Sequence, residues 1–431
     1  MHYKLLIIVI SLTFLSGQSL FNRFVGTDPF IGSARATAMG NTHLLNSTGS
    51  TNIRFNPSNL VRMNSRGGIN LQINHSSVFE RWSMPMKDFF GDFLTSGDYV
   101  ANEFSYYGIN SGVFASLMLP MIGKVGAGFH YAPLTHFTYQ YSEEVRGEYD
   151  TKDGEYASKD PLVGYQNLSI DGNSMVISLG GGIQLNMLQE NNLSIGMALN
   201  IVQSTKVTDE VSVDTLYSDV TNLSTLPDMN STAEMPTTNF INCSSTLNLT
   251  SHVELGVSWE QEAKTTTTQY SWSIDSTNGL FQYFEDSSYV TKGMNYVKPA
   301  IFSMALSYIS NLENIISIDF ELDRVSYNNH LNLKDYNQYK FGFEYLTPMG
   351  TPIRGGLVYR QAVIPAMKPI SMFTFGTGKT IGNMVIDAAG TYCFQSFYYP
   401  DLFLVKGDIR TDYDLVRDSH LNLQLGLTYQ F

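Results

Sequence analysis

Cysteine and basic residues are both scarce in this sequence. Its 431 residues include two cysteines, Cys243 and Cys393, which are too few for a disulfide framework and are not spaced like metal ligands. Lysine and arginine total 26 against 39 aspartate and glutamate, giving a formal net charge of −13. No basic stripe exists to neutralise phosphates, so nucleic acid is excluded as a partner.

The sequence also lacks long hydrophobic runs and catalytic motifs. No segment beyond the N-terminus is apolar for the roughly 20 residues that a spanning helix requires. Charged residues make up only 15% of the chain and the mean hydropathy is −0.10, which fits neither a disordered chain nor a helical membrane protein. Paired-histidine, nucleophile-elbow, Walker and dinucleotide motifs do not occur. We therefore expect a protein that is not an enzyme and that uses no metal and no cofactor.

The N-terminus has the pattern of a secretory signal peptide. A single cation, Lys4, precedes the apolar stretch Leu5–Leu15, and small residues follow. This pattern predicts a signal peptide over residues 1–19, cleaved after Ser19. No cysteine follows closely, which excludes a lipoprotein anchor. We expect an exported chain without a helical anchor.

The segment Leu421–Phe431 alternates strictly between apolar and polar residues. This period-two pattern predicts a strand with one apolar and one polar face. A soluble sandwich strand could have the same pattern, but about 9 to 11 residues is the length that a tilted strand needs to cross a bilayer. The terminal phenylalanine fits an interfacial girdle, as does an aromatic content of 13%. The ending resembles the C-terminal strand of bacterial outer-membrane barrels, and this resemblance implies the outer membrane of a diderm bacterium as the expected location.

Alternating segments recur from residue 67 to the end of the chain. The clearest pair, Ser174–Val207, turns at a polar Gln-Glu-Asn-Asn sequence and predicts a hairpin. About fourteen such strands can be counted, an even number that suits an antiparallel transmembrane barrel. Long polar links such as Glu80–Ser105, Ser142–Asn173 and Thr208–Thr238 alternate with tight turns such as Pro120–Gly123. This alternation of long and short connections is expected for a barrel with long outer loops and short periplasmic turns, whereas a sandwich does not require it. By the same parity, Cys243 faces outward and Cys393 inward.

Residues 20–66 show no sustained alternation and are rich in glycine and proline. Irregular backbone at membrane depth must lie inside protein or in a water-filled lumen. We therefore expect an all-β fold in which residues 20–66 form a hatch inside a barrel built from residues 67–431.

Two short elements of this segment suggest a family. Ala34-Arg35-Ala36 with Met39-Gly40 precedes Asn56-Pro57-Ser58-Asn59-Leu60. This order resembles the N-terminal signature of the FadL/TodX outer-membrane transport superfamily, which also contains the PorV and PorQ proteins of type IX secretion. Ser58 and Asn59 replace a small Ala-Gly pair, and residues 41–48 lack the acidic residues usual there.

The resemblance implies a fourteen-stranded barrel with an inward-folded hatch and with hydrophobic ligands passing through the wall. It points to five hatch or ligand-binding residues: Arg35, Met39, Gly40, Asn56 and Pro57. A plain structural turn at Asn56-Pro57 and a solvated Arg35 are the simpler alternatives. If Arg35 is buried, a lumen acid such as Asp319, Glu321 or Asp387 is its expected partner.

Pro133 lies inside the third predicted strand, where a proline removes a ladder hydrogen bond. In the family that the sequence resembles, a kink in the third strand opens a lateral exit toward lipid. We therefore single out Pro133 as a lateral gate. The alternative is a strand that simply extends above the membrane at this point.

These features favour passive uptake of small hydrophobic, fatty-acid-like molecules. The alternative is a PorV-like or PorQ-like barrel whose outer loops bind secreted proteins. Uptake predicts apolar side chains facing inward between hatch and wall, whereas secretion predicts them on the outer loops, where Phe89, Phe90 and Phe93 lie. Outer-membrane lipid and lipopolysaccharide are further expected partners. The acidic loop from Glu143 to Asp160 could bind calcium or lipopolysaccharide, but it lacks the residue order of a calcium loop, so we expect a solvated acidic loop.

Overall fold

The computed structural model describes residues 20, 26, 32–63, 65–120, 123–147, 160–186, 192–218, 229–266, 272–274, 281–283, 295–310, 316–328, 333–364, 367–403 and 412–431. The signal peptide predicted over residues 1–19 and most of the acidic loop lie outside these ranges. Among the described residues, no helix has both the length and the apolar character needed to cross a membrane.

A closed antiparallel barrel of fourteen strands forms the body of the molecule. The last strand pairs with the first over sixteen positions, from Gly68↔Gln430 to Ser83↔Leu415, and this pairing closes the barrel. The predicted fold class and strand number are confirmed. Numbered along the whole chain, the barrel strands are β1 (Gly67–Lys87), β2 (Phe93–Leu119), β3 (Gly123–His136), β6 (Asn173–Asn186), β7 (Asn192–Val202), β10 (Thr238–Asn248), β11 (Val253–Glu260), β16 (Ala300–Ile309), β17 (Ile316–Ser326), β18 (Tyr336–Leu346), β19 (Pro352–Arg360), β20 (Ile370–Ile381), β21 (Met384–Tyr399) and β22 (Asp414–Gln430).

The wall is apolar on the outside and polar on the inside. In β1, Ile69, Leu71 and Ile73 are 54%, 41% and 45% exposed, while Asn70 and Gln72 between them are buried. A soluble protein would place these residues the other way round, so the outer face is built for lipid. The alternation follows directly from the period-two sequence pattern, because successive side chains point to opposite faces of a strand. The two cysteines are free, with Cys243 exposed and Cys393 buried, as their parity predicted.

Three segments predicted as outer links contain regular strands instead. β1 and β2 keep pairing up to Lys87↔Phe93, so Glu80–Ser105 is largely a hairpin that we call the β1–β2 arm. The other two links contribute a four-stranded sheet. Beyond the membrane both strand faces meet water or protein, so the hydrophobic alternation fades although the backbone ladder continues. The strands outside the barrel are β4 (Tyr139–Arg146), β5 (Leu162–Asp171), β8 (Thr205–Thr215) and β9 (Met229–Met235) in that sheet, and β12 (Ala263–Thr266), β13 (Trp272–Ile274), β14 (Phe281–Tyr283) and β15 (Asn295–Lys298) in two pairs.

The described part of the N-terminal segment folds into four short helices inside the barrel. They are α1 (Ala34–Ala38), α2 (His43–Asn46), α3 (Thr51–Phe55) and a 3₁₀-helix η1 (Pro57–Val61). Ser33 caps α1 by accepting a hydrogen bond from the Ala36 amide, and Gly40 with φ +68° follows the C-terminal end of the helix. Pro57 occupies the first turn of η1, where a missing N–H costs nothing.

Candidate functional site

The N-terminal helices, which we call the hatch, touch the wall around most of its circumference. α1 packs against β19 to β22, α2 against β11 and β16, and η1 against β2, β3, β6, β7 and β10. Nearly every hatch residue is buried, including the polar ones. The hatch therefore fills the lower lumen, and its polar groups find partners on the polar inner face of the wall.

The predicted residues Met39 and Gly40 dock against a pair of wall glycines. Gly342 in β18 and Gly356 in β19 lie directly opposite each other in the ladder. A Cβ at Gly356 would lie 2.2 Å from the Gly40 nitrogen, and one at Gly342 would lie 2.4 Å from the Met39 oxygen. Only glycine leaves room for this approach of backbone to backbone.

Pro57 and the following Ser58 dock in the same manner on the far side of the barrel. Gly182 in β6 and Gly196 in β7 are again direct ladder partners. A Cβ at Gly196 would lie 2.2 Å from the Ser58 nitrogen, and one at Gly182 would lie 2.7 Å from the Pro57 oxygen. Each of the two elements that carry the family resemblance thus rests on its own cross-strand glycine pair.

Asn56 ties the hatch to itself and to the wall. Its side-chain Nδ2 donates to the Leu44 carbonyl at 2.6 Å and to Thr246 Oγ1 at 3.0 Å. The neighbouring Ser58 amide donates to Ser244 Oγ at 3.0 Å. Asn56 is fully buried, so these bonds satisfy an amide that would be costly to bury alone.

Arg35 pairs with a wall carboxylate, although not with one of the three named from the sequence. Its Nη2 lies 2.9 Å from Glu344 Oε1. Arg354 bridges the second oxygen of Glu344 and, at 2.6 Å, Asp387. Asp387 therefore belongs to the same network but reaches Arg35 only through Arg354. The register of β18 determines which carboxylate pairs with Arg35, because it places Glu344 at the level of α1.

A buried ionic triad was missed by the sequence reasoning. Arg54 in α3 and Lys298 in β15 both pair with Glu260 at the end of β11. The Phe240 ring lies between the two cations, with centroid distances of 5.0 Å to Arg54 Cζ and 4.5 Å to Lys298 Nζ. All three ionic side chains are less than 10% exposed.

A signal for these contacts exists in the sequence. Residues 32–63 contain three arginines and no acidic residue, although the whole chain is strongly acidic. Each of these arginines pairs with a wall glutamate: Arg35 with Glu344, Arg54 with Glu260 and Arg62 with Glu254. A cationic segment inside an acidic barrel could therefore have been predicted to dock by charge.

Above the hatch the lumen becomes apolar. A single cluster of buried side chains joins the upper parts of β1, β2, β21 and β22 to β4, β5, β8 and the loops. We call seven of its rings the outer aromatic cluster, namely Trp82, Phe104, Tyr139, Tyr141, Phe397, Tyr399 and Phe403. Trp82 meets Tyr141 edge-on at 5.4 Å, and Tyr141 stacks on Phe403 at 5.8 Å. The largest apolar cluster of the lumen thus lies above the hatch, and the hatch–wall contact itself is mostly polar. That contact also includes small apolar patches, in which Ile53 and Leu60 pack with Phe114 and Ala198, and Ala34 and Ala38 pack with Ala389.

Pro133 lies where one ladder of the wall stops. Pairing between β2 and β3 ends at Ser111↔Tyr131, whereas pairing between β3 and β6 continues past a bulge at Pro133 to His136↔Asn173. From Ala132 to Phe137 every residue is buried, so the in-and-out alternation of β3 is lost there. β3 consequently separates from β2 above Tyr131, and we call this separation the β2–β3 gap.

The gap is bordered by apolar and aromatic side chains. Ala132 and Leu134 pack with Val176, Val202 and Phe240, and Phe55 of the hatch rests against them. Across the gap, the Tyr106 ring of β2 lies 4.7 Å from the ring of His136 at the end of β3. Pro133 is therefore adjacent to the hatch through Phe55, while Arg35, Met39 and Gly40 lie on another side of the barrel.

Among the described residues, no group of acidic, histidine or cysteine side chains is arranged to hold a metal ion.

This architecture matches solved structures. The toluene transporter TodX of Pseudomonas putida aligns with a TM-score of 0.59 and 13% identity, covering 94% of this chain and 99% of that one. A Pseudomonas aeruginosa FadL homologue aligns with a TM-score of 0.56 and 13% identity, covering 94% and 100%. The barrel has the FadL-type fold. The Ralstonia pickettii toluene transporter TbuX shares that fold, with a TM-score of 0.54 and 15% identity over 95% and 99%.

The sequence-based resemblance to the FadL/TodX superfamily is thus confirmed at the level of the FadL-type fold. No family model matches the sequence, and no curated protein matches it. The resemblance to PorV and PorQ remains a prediction. A shared fold at such low identity fixes the architecture and leaves the ligand to be argued from the site.

Proposed function

We propose that this protein is an outer-membrane barrel that takes up small hydrophobic molecules passively and releases them sideways through the β2–β3 gap. The observation that carries this proposal is the end of the β2–β3 ladder at Ser111↔Tyr131, beside Pro133 and above a filled lower lumen. A ligand that enters from outside meets the hatch below it and an apolar border beside it. The gap is the exit that this proposal assigns to an apolar molecule.

In this proposal the ligand is captured at the outer aromatic cluster, whose rings are packed together and at most 5% exposed, so they must move apart to admit it. Apolar burial is worth about 25 cal/mol per Å², so a ligand burying about 200 Å² gains roughly 5 kcal/mol before association costs are subtracted. That supports weak and reversible binding. A passive route benefits from weak binding, because a ligand held tightly would not leave.

The neighbouring structures support the ligand class. TodX and TbuX are described as toluene transporters, and CymD, which has the same fold, as a monoaromatic hydrocarbon channel. Ring-on-ring packing in the outer aromatic cluster suits both aromatic and aliphatic ligands. The predicted fatty-acid-like ligand is one member of this class and is tested alongside toluene below.

The hatch residues have a docking role in this proposal. Arg35, Met39, Gly40, Asn56 and Pro57 hold the hatch on the wall through the glycine pairs and the Glu344 contact. They keep the lower lumen closed to polar solutes while the ligand leaves above them. Phe55 links the hatch to the border of the gap.

The decisive experiment closes the gap reversibly. If the ladder continued by two residues, Ile109 would lie opposite Pro133, since Ser111 pairs with Tyr131. A disulfide between Ile109→Cys and Pro133→Cys would hold β2 and β3 together. Cells that express this variant should lose most uptake of labelled toluene and of a labelled fatty acid after oxidation and regain it after reduction.

The matched control is a disulfide in the intact ladder. Val113 and Phe129 are direct partners, so cysteines at both positions join strands that are already paired. This variant should show the same uptake before and after oxidation. Unchanged uptake in the oxidised gap variant, with the cross-link verified by mass spectrometry, would contradict the lateral route.

The secretion alternative makes a different prediction. The tip of the β1–β2 arm exposes Phe89 and Phe90 at 98% and 85%, as an outer protein-binding loop would. Protein purified from its own membrane in mild detergent should then carry a secreted protein and no small hydrophobic molecule. Native mass spectrometry with lipid extraction separates the two functions.

A further inference from the structure

The lipid-facing wall carries two arginines directly opposite each other. Arg81 in β1 and Arg417 in β22 are ladder partners, and both share the outward parity of the apolar belt. Like charges at directly opposed positions destabilise a strand pair unless an anion joins them. Asp98 of the β1–β2 arm provides one anion, at 3.2 Å from Arg81 and 3.4 Å from Arg417. The two arginines thus share a single aspartate.

The height of this pair matches the lipid headgroups of the outer leaflet. Ile69 to Phe79 are the outward positions below Arg81, and ten residues rise about 33 Å along a strand. At a tilt of about 40° this corresponds to about 25 Å along the membrane normal, the height of an outer-membrane apolar belt. In β22 the outward positions from Tyr429 to Ser419 span the same number of residues below Arg417. Both guanidinium groups therefore lie just above the belt.

An aromatic groove lies one row higher. It has a volume of about 410 Å³, and its lining includes Ser83, Leu415 and Tyr398, which follow the row of Arg81 and Arg417 along their strands. Three of its rings are solvent-exposed, Phe93 at 62%, Tyr398 at 63% and Tyr413 at 47%. An ion pair between Lys87 and Asp412, at 2.6 Å, supplies both a donor and an acceptor at the groove. Exposed rings beside charged hydrogen-bonding groups suit a sugar, which has apolar faces and hydroxyl edges.

We propose that Arg81, Arg417 and the groove above them form a binding site for a phosphorylated glycolipid of the outer leaflet. The phosphate contacts the two arginines, which bind such groups through charge-assisted bidentate hydrogen bonds. The acyl chains lie on the belt below, along Phe79 and Leu423, and the saccharide enters the groove. This site is on the outer wall and is independent of the proposed uptake route.

Replacing both arginines tests the phosphate contact. Protein purified from its own outer membrane in mild detergent should retain the glycolipid in native mass spectra, and Arg81→Gln with Arg417→Gln should lower the lipid-bound fraction about tenfold. Arg324→Gln is the matched control, because Arg324 is a half-exposed arginine paired with Asp335 on another part of the wall. An equal lipid-bound fraction in the double variant and the native protein would overturn the proposal.

Defined ligands distinguish a lipid headgroup from a free anion. Lipid A should raise the melting temperature of the delipidated protein, whereas lipid A without phosphates and inorganic phosphate should have little effect. Stabilisation by inorganic phosphate as large as that by lipid A would overturn the assignment to a lipid. Tyr398→Ala with Tyr413→Ala should weaken retention of glycolipids with long saccharides and leave lipid A binding unchanged. Uptake should be unaffected in all of these variants, so failure of this proposal and failure of the uptake proposal can be told apart.

Discussion

At the scale of single residues, glycine determines where the hatch can rest. Gly356→Ala would place a Cβ 2.2 Å from the Gly40 nitrogen and 2.6 Å from the Phe341 oxygen. Backbone cannot move aside as a flexible side chain can, so we expect the hatch to lose about 1–3 kcal/mol of docking free energy. Hydrogen exchange of residues 33–61 measures this loss as faster exchange.

The neighbouring glycine provides the control for that substitution. A Cβ at Gly355 would meet only the Thr374 oxygen, at 3.8 Å, because Gly355 belongs to the outward parity. Gly355→Ala should therefore leave hatch exchange unchanged. Equal exchange rates in both variants would show that the glycine pair does not limit docking.

The buried ionic triad of Glu260, Arg54 and Lys298 leads to a second prediction at the residue scale. Glu260→Gln leaves Arg54 and Lys298 buried side by side without their shared anion. Breaking a buried ion pair by removing one partner costs about 3–5 kcal/mol, so the hatch should become sensitive to limited proteolysis. Glu254→Gln removes the partly exposed partner of Arg62 and should cost about 1 kcal/mol or less. A hatch equally resistant in both variants would contradict a docking role for the triad.

Sequence reasoning identified some of these residues without their reasons. Met39-Gly40 and Asn56-Pro57 are recognisable as motifs in the sequence. The wall glycines against which they pack lie in β18, β19, β6 and β7, far away in the chain, so the sequence motif does not reveal these contacts. The partner of Arg35 depended on which carboxylate β18 raises to the level of α1. Several lumen acids fit the pattern equally well, so only the register could select Glu344.

At the scale of elements, helix α2 gives the hatch a dependence on pH. The His43 ring stacks on Phe55 at 4.4 Å. Burial lowers the pKa of His43 well below its usual 6.5, and the nearby Lys340 and Arg54 lower this pKa further. The docked hatch thus holds His43 neutral, whereas the undocked hatch binds a proton below pH 6.5.

We therefore expect docking to be strongest above the undocked pKa and to weaken as the pH falls below it. Limited proteolysis of the hatch should speed up between about pH 7.5 and about pH 5.5 in the native protein. His43→Gln removes this titrating group and should make the rate depend less on pH, although the buried His130, which contacts Ser50 of the hatch, is left in place. A native rate that does not change with pH would rule out this linkage.

Strand positions could be predicted from the sequence only where lipid imposes a pattern. Within the belt, apolar and polar residues alternate because one face meets lipid and the other meets the lumen. In the β1–β2 arm and in the sheet of β4, β5, β8 and β9 that contrast disappears, and these segments were predicted as links. The bulge at Pro133 was predictable from proline chemistry, but the end of the β2–β3 ladder was not, because it depends on a neighbouring strand.

At the scale of the whole molecule, hatch and wall are complementary in charge. The hatch contributes Arg35, Arg54 and Arg62 without any acidic residue, and the wall contributes a glutamate to each. Barrel closure does not depend on the hatch, since β1 pairs with β22 along most of its length. The wall is thus a complete barrel with an acidic inner surface, and the hatch neutralises and fills it.

Deletion of residues 33–63 should therefore convert the protein into a water-filled pore. The inner face of the lower wall is lined by asparagine, glutamine, serine and charged side chains, which water solvates readily once the hatch is gone. The glutamates that pair with hatch arginines would then be uncompensated, and like-charged clefts attract counter-ions. Planar bilayers should show large, steady conductance with cation preference for the deletion variant and little conductance for the native chain. Anion preference in the deletion variant would contradict the charge assignment, and high conductance of the native chain would contradict a closed hatch.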